Sequence, residues 1–489
     1  MLFNSLNFII FFIITACLYY ILPYKPGIYM LLAGSYIFYM CWNPKLIVII
    51  VFITFINFVG AYLIYTAQNT KRKKLYLLLC MVINFGLLFV FKYMDFACTT
   101  INGIFSVFNS GLYITPPDIV LPMGISFYTF QAAAYTIDVY RGELKPSKSY
   151  VKFSLFITFF PQLVAGPIER SKNLIKQFNT KNKFRMRNVL IGLEMMATGF
   201  FKKVVIADRL AIGVNTIFNN AQSYGGLYYI LAAFMFTIQI YCDFSGYSDI
   251  ARGAAKVLGF RLMVNFDRPY GSKSLREYWR RWHISLSTWF MDYIYIPLGG
   301  NRKGRLIKYR NLFITFLVSG LWHGAAYTFV IWGGLHGIYM VVEDILRTEY
   351  RKIKELYGTY KPADKAIAIL APFVTFGFVM FAFILFRANS ISDASYIFSH
   401  IFWDFRKWNT AQYLYEMITS LGMSLYELKV VFIAVLVLFI SEGLAGHDIS
   451  GFVRKKGFVA EVLYYAFIFL FILTAGVFYN AGEFIYFQF

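Results

Sequence analysis

The sequence predicts an all-α polytopic membrane protein. Three observations predict it: an apolar composition, apolar runs of bilayer-spanning length, and basic residues gathered between those runs. Of 489 residues, 59% are hydrophobic and 15% charged, with a mean hydropathy of +0.57. Soluble globular chains carry roughly 45–50% apolar and about 25% charged residues. That composition excludes a soluble enzyme, a disordered chain and a disulfide framework. The five cysteines show no C-x-x-C spacing, so they read as small buried hydrophobes and not as a redox or metal site.

The first apolar run, 2–22, is about long enough to cross a bilayer. It lacks a basic leader and a small-residue cleavage site, so it is expected to remain as the first helix. Further runs follow near 28–43, 45–66, 75–91, 120–138, 153–168, 188–206, 227–245, 312–331, 332–346, 366–386, 428–446 and 460–480. Those at 28–43, 153–168 and 332–346 are short for ~30 Å of hydrocarbon, which suits re-entrant or buried segments. The expectation is about eleven to thirteen membrane-embedded helices in one domain spanning 1–489, with the long polar interruption at 246–311. No internal repeat of the transporter kind is visible.

The net charge of +22 would suggest nucleic acid on a soluble chain. Here 37 of the 47 Lys and Arg residues lie in six segments: 67–74, 141–152, 170–187, 251–311, 346–365 and 452–457. The loops 95–119 and 207–226 hold Arg209 alone. Basic loops face the cytoplasm, so most of the charge records orientation. Arg387, Arg406 and Lys407 in the outward 387–427 loop show this to be a bias. Nucleic acid is excluded as a partner; the lipid bilayer is expected.

Within the polar interruption, Ser274-Leu275-Arg276-Glu277 fits a capping box at a helix start. The helix is expected to run from Leu275 to about Phe290. Trp279, Trp282, Leu286 and Trp289 form one stripe, and Arg276, Arg280, His283 and Ser287 a second. Two readings stay open. One is an amphipathic anchor with its indoles at headgroup depth; the other is a cytoplasmic entrance where Arg276, Arg280, Arg281 and His283 meet an anionic donor.

His323 lies inside an apolar run, and an ionisable group at bilayer depth marks a functional site by default. Gly320 and Gly324 form a small-x-x-x-small pair that admits a second helix. Ser319, His323 and Tyr327 are expected to share one helix face; a histidine bonded between helices is the blander reading. His336 is read as an interhelical polar contact. Asp243 and Asp249 are placed at a helix end, pointing about 120° apart and bonding locally. With no H-E-x-x-H, P-loop or G-x-S-x-G motif, no metal is expected.

Several segments together resemble the membrane-bound O-acyltransferase family. They are Pro122-Met123-Gly124-Ile125-Ser126-Phe127-Tyr128-Thr129-Phe130-Gln131, Phe159 to Pro167, Asp243 to Asp249, Arg268-Pro269-Tyr270, Tyr278 to Ser287, Ile296 to Arg302, and Leu321-Trp322-His323-Gly324. They place a motif-bearing core at 90–340, and their wording is similar to the bacterial alginate O-acetylation branch. The resemblance implies a funnelled acyltransferase in the bacterial plasma (inner) membrane. It implies His323 as the catalytic histidine and His283 as the second functional position. No tightly bound cofactor is implied; an acyl thioester, acetyl-CoA or an acyl carrier, would be a substrate. The acceptor would be a cell-wall or secreted polysaccharide, served by an extracytoplasmic acyltransferase partner. D-alanyl transfer to teichoic acid is the alternative within the family, and a polymer-precursor transporter the alternative outside it.

Overall fold

The computed structural model describes residues 1, 3–164, 166–357, 361–446, 448–478 and 484–485, and these form helices with no strand among them. Among the described residues, seven helices are long and apolar enough to cross a membrane: Pro44–Thr66, Thr70–Val107, Leu227–Val257, Tyr327–Leu356, Asp364–Arg387, Leu425–Ala445 and Phe458–Ala475. Leu6–Ile21 is a shorter apolar helix. The all-α, multi-pass expectation therefore holds, but several runs fold differently from a plain span.

The run at 153–168 divides into Tyr150–Thr158 and Phe160–Leu163. Pro161 explains the break, since its ring would meet the carbonyl four residues back and it offers no N–H. The run at 312–331 stops at His323, where Gly324 turns extended, and Tyr327 opens the next helix, Tyr327–Tyr357. His323 and Tyr327 thus lie on different helices, and the shared face expected of Ser319, His323 and Tyr327 does not exist. His336 sits well inside that second helix.

By its internal contacts the chain divides into two compact units. The first comprises Met1–Met196 and Ile250–Met263. Inside it, Asn57 and Asn84 exchange amide hydrogen bonds at 2.9 Å, and the Thr136 hydroxyl donates to Asn57 Oδ1 at 2.7 Å. Polar groups buried in apolar helices need such partners. Gly124 adopts φ +72°, and a Cβ there would stand 2.7 Å from the Leu163 carbonyl oxygen. The 122–131 and 159–167 segments therefore meet through backbone, which only glycine permits here.

The second unit comprises Ala197–Asp249 and Val264–Phe489 and contains both candidate histidines. Arg305–His323 packs against Tyr327–Tyr357 across a glycine contact. A Cβ on Gly320 would lie 3.1 Å from the Gly333 Cα, so the small-residue signal did report a close helix pair, with Gly333 as its partner.

Candidate active site

The helix opened by Ser274 begins as expected and ends early. The Ser274 hydroxyl accepts the Glu277 N–H at 3.1 Å, while the Glu277 carboxylate accepts the Lys273 N–H at 2.8 Å, one residue before a true capping box. Glu343, from Tyr327–Tyr357, accepts the Leu275 and Arg276 N–H groups at 2.6 and 3.2 Å. A carboxylate there also faces the positive end of the helix.

The predicted 275–290 helix is two helices, Leu275–Arg281 and Ile284–Phe290. Between them His283 adopts φ +43° and ψ +53°, a left-handed conformation costing roughly 1–2 kcal/mol for a residue with a Cβ. Asn265 holds the break. Its carbonyl accepts the Ile284 N–H at 2.9 Å. Its side-chain oxygen accepts the Ser285 N–H at 3.2 Å and hydroxyl at 2.7 Å. Periodicity could not reveal this capture by a residue eighteen positions upstream. The continuous stripes are therefore corrected. Trp279, Trp282 and Trp289 are buried in protein, so they do not form an interfacial belt.

The break places the two histidines together. Their ring centroids lie 6.4 Å apart, and both side chains are buried. His323, the last residue of its helix, is packed by Trp322, Trp332 and Phe386 at 5.0, 5.1 and 5.4 Å. His283 stands edge-on to Phe244 at 4.6 Å. His283 lies outside the seven membrane-length helices, and burial depresses its imidazole from 6.5 to about 3. The folded protein thus holds it neutral, whereas the unfolded chain takes up a proton below 6.5. This contribution to stability is complete above pH 6.5 and is lost as pH falls from there toward 3. Thermal unfolding of detergent-solubilised protein between pH 7 and pH 4 should show that decline. His283→Gln should flatten it, by up to about 1.4 kcal/mol per pH unit; an identical slope in the variant would refute the assignment.

The three arginines are divided. Arg276 pairs with Asp344 at 2.6 Å, which Lys308 also meets at 2.6 Å. Arg281 pairs with Glu277 at 2.5 Å. Arg280 is exposed, and no ion pair is described for it. A donor phosphate would thus find Arg280 ready and the other two already engaged.

Asp243 and Asp249 are not at a helix end; both lie inside Leu227–Val257. They face two lysines that periodicity did not single out, on the wide π-turn Phe201–Ala207. Lys203 bridges Asp243 at 2.5 Å and Asp208 at 2.9 Å. Lys202 bridges Asp249 at 3.1 Å and Glu442 at 3.2 Å. Asp243 also accepts the Ile485 N–H at 2.7 Å, and the adjoining Phe244 is the ring against His283. The available signal was Lys202-Lys203 inside an apolar run, the kind of intramembrane charge that marks buried pairing.

His336 is also corrected. Its two ring nitrogens have no hydrogen-bond partner among the described residues, so it is not an interhelical hydrogen bond. Among the described residues no His, Cys, Asp and Glu side chains group in threes to hold a metal ion.

Comparison with known proteins finds one family model and relatives over most of the chain. The model of the membrane-bound O-acyltransferase family matches residues 143–386. The chain is 38% identical over 418 residues to a probable alginate O-acetylase of Pseudomonas putida, covering 84% of this chain and 83% of that protein. It is 36% identical to a peptidoglycan O-acetyltransferase of Helicobacter pylori, covering 81% and 78%. To a teichoic acid D-alanyltransferase of Bacillus subtilis it is 29% identical, covering 56% and 70%.

Proposed function

The chain belongs to the membrane-bound O-acyltransferase family, and on that premise we propose that it moves an acetyl group outward across the membrane. It is a multi-pass bacterial membrane O-acyltransferase. The donor is a cytoplasmic thioester, acetyl-CoA or an acyl carrier, and the acceptor is a hydroxyl of an extracytoplasmic polysaccharide. The observation that carries this reading is the buried His323 at the end of its helix, 6.4 Å from His283.

An alcohol attacking a thioester must lose its proton as the C–O bond forms. His323 is the general base in this reading, and its aromatic surroundings limit competing hydrolysis by excluding water. His283, held neutral by burial, is the second polar group, its ring 6.4 Å from that of His323. Arg280 meets the anionic part of the donor at the cytoplasmic approach, with Arg276 and Arg281 available only if their carboxylates yield. An extracytoplasmic partner receives the acyl group or delivers the acceptor.

Acetyl is favoured over D-alanyl because the resemblance to O-acetyltransferases is both closer and longer. Mild base releases either ester from the cell envelope. Deleting the gene should remove most released acetate, and restoring the wild-type gene should return it. Loss of D-alanine with unchanged acetate would establish the alternative, and unchanged levels of both would overturn the reading.

A further inference from the structure

Beside His323 lies a group of buried polar atoms that the proposed chemistry has not used. Trp279 Nε1, Trp332 Nε1 and both ring nitrogens of His336 are buried with no hydrogen-bond partner among the described residues. The three rings adjoin one another. Their centroids lie 4.8 Å apart for Trp332 and His336, 5.1 Å for Trp279 and His336, and 5.9 Å for Trp279 and Trp332. Trp332 and His336 are four residues apart on one helix and share a face. Trp279 arrives from Leu275–Arg281, and Phe316 of Arg305–His323 closes the group at 5.1 Å from Trp279.

Buried polar atoms without partners are rare because leaving them so costs free energy, and each calls for a ligand or a water. We propose that Trp279, Trp332 and His336 form a hydrogen-bonding subsite for the carbonyl oxygen of the acyl thioester, beside His323. This rests on the acyltransferase reading given above. Three features define the ligand class. An indole N–H only donates, and a neutral imidazole adds one further donor, so the group suits an acceptor. The two indoles carry no charge, which matches a carbonyl oxygen better than a phosphate. The Trp332 ring also packs on His323 at 5.1 Å, so an acceptor held there is next to the base.

The step balances without a further reactant. The acceptor hydroxyl oxygen bonds to the thioester carbon, its proton passes to His323, and the C=O electron pair moves onto oxygen. Collapse of that oxyanion breaks the C–S bond, and the leaving sulfur takes the proton. Donors already in place where charge develops, in surroundings as apolar as Phe316, favour the oxyanion over the ground-state carbonyl.

The test uses the purified full chain in nanodiscs. Its probe is a ketone analogue of S-acetyl-pantetheine, the arm that acetyl-CoA and acyl carriers share, with methylene replacing sulfur and carbon-13 at the carbonyl. In the wild type the bound carbonyl resonance should move downfield by several ppm. Trp332→Phe keeps an aromatic ring and removes the N–H. It should return the resonance toward its free position and lower kcat roughly 100-fold, with KM within about twofold, as loss of one such donor does. His336→Phe should do likewise and His336→Gln should restore part of the shift, which covers the case of a misfolded tryptophan variant. An unshifted resonance in the bound wild type, or variants that change neither shift nor kcat, would mean that the group holds only water and would overturn the proposal. Failure of the wild type to bind the analogue would instead overturn the thioester reading beneath it.

Discussion

His323→Ala should reduce acyl transfer by about 100- to 10,000-fold while the protein remains inserted and monodisperse. General base catalysis alone contributes roughly 100- to 10,000-fold, and the base proposed for this role, His323, is buried at a helix end against Trp332. The measurement is transfer of carbon-14 acetate from a thioester to polysaccharide by purified protein in nanodiscs, with size-exclusion profiles as the folding control. The alanine leaves its helix intact, because Gly324 already terminates it with an N–H to the Gly320 carbonyl. A histidine serving only as an interhelical contact would give the opposite pattern, with lowered stability and a kcat within severalfold of the wild type. Transfer at the wild-type rate would remove His323 from the mechanism.

The second large effect is on stability. Lys203→Met should destabilise the protein by about 3–5 kcal/mol, because it leaves buried carboxylates uncompensated. Lys203 is itself buried and serves both Asp208 and Asp243. Thermal scans in detergent should show the loss. Adding Asp243→Asn to Lys203→Met should recover part of it, since removing a charge together with its partner costs less than stranding one. Two cations, Lys202 and Lys203, face four carboxylates here, so losing either cation leaves a larger imbalance. An unchanged unfolding temperature in the single variant would show that these groups do not hold Leu227–Val257 in place.

The sequence was legible where local chemistry governs. Hydropathy located the helices that cross, and Ser274 and Gly320 marked a real helix start and a real close approach. It was misleading where a distant group intervened. Nothing between Leu275 and Phe290 announces a break, because the Asn265 hydrogen bonds that create it come from another segment. That break is what turns His283 toward His323, so the candidate residues could be named from the chain but their meeting could not. Trp279 and Trp282 read as an interfacial stripe because the rings that bury them, Phe316, Trp332 and Phe383, come from distant helices. Asp243 and Asp249 point apart along their helix, which counted against a shared role. They are joined instead through the adjacent lysines of the π-turn, whose wider winding a 3.6-residue period cannot foresee.

The π-turn carrying Lys202 and Lys203 also bears on how the protein is made. A buried ammonium is costly until it is paired, and this segment brings two lysines side by side. Asp208 follows at once, but Asp243 and Asp249 emerge some forty residues later and Glu442 only near the end of the chain. Pairing of the segment's charges is thus incomplete until the helix Leu425–Ala445 has been synthesised. Completion of this charge cluster is therefore a late event in biogenesis, and a chain truncated before residue 442 leaves Lys202 short of one partner.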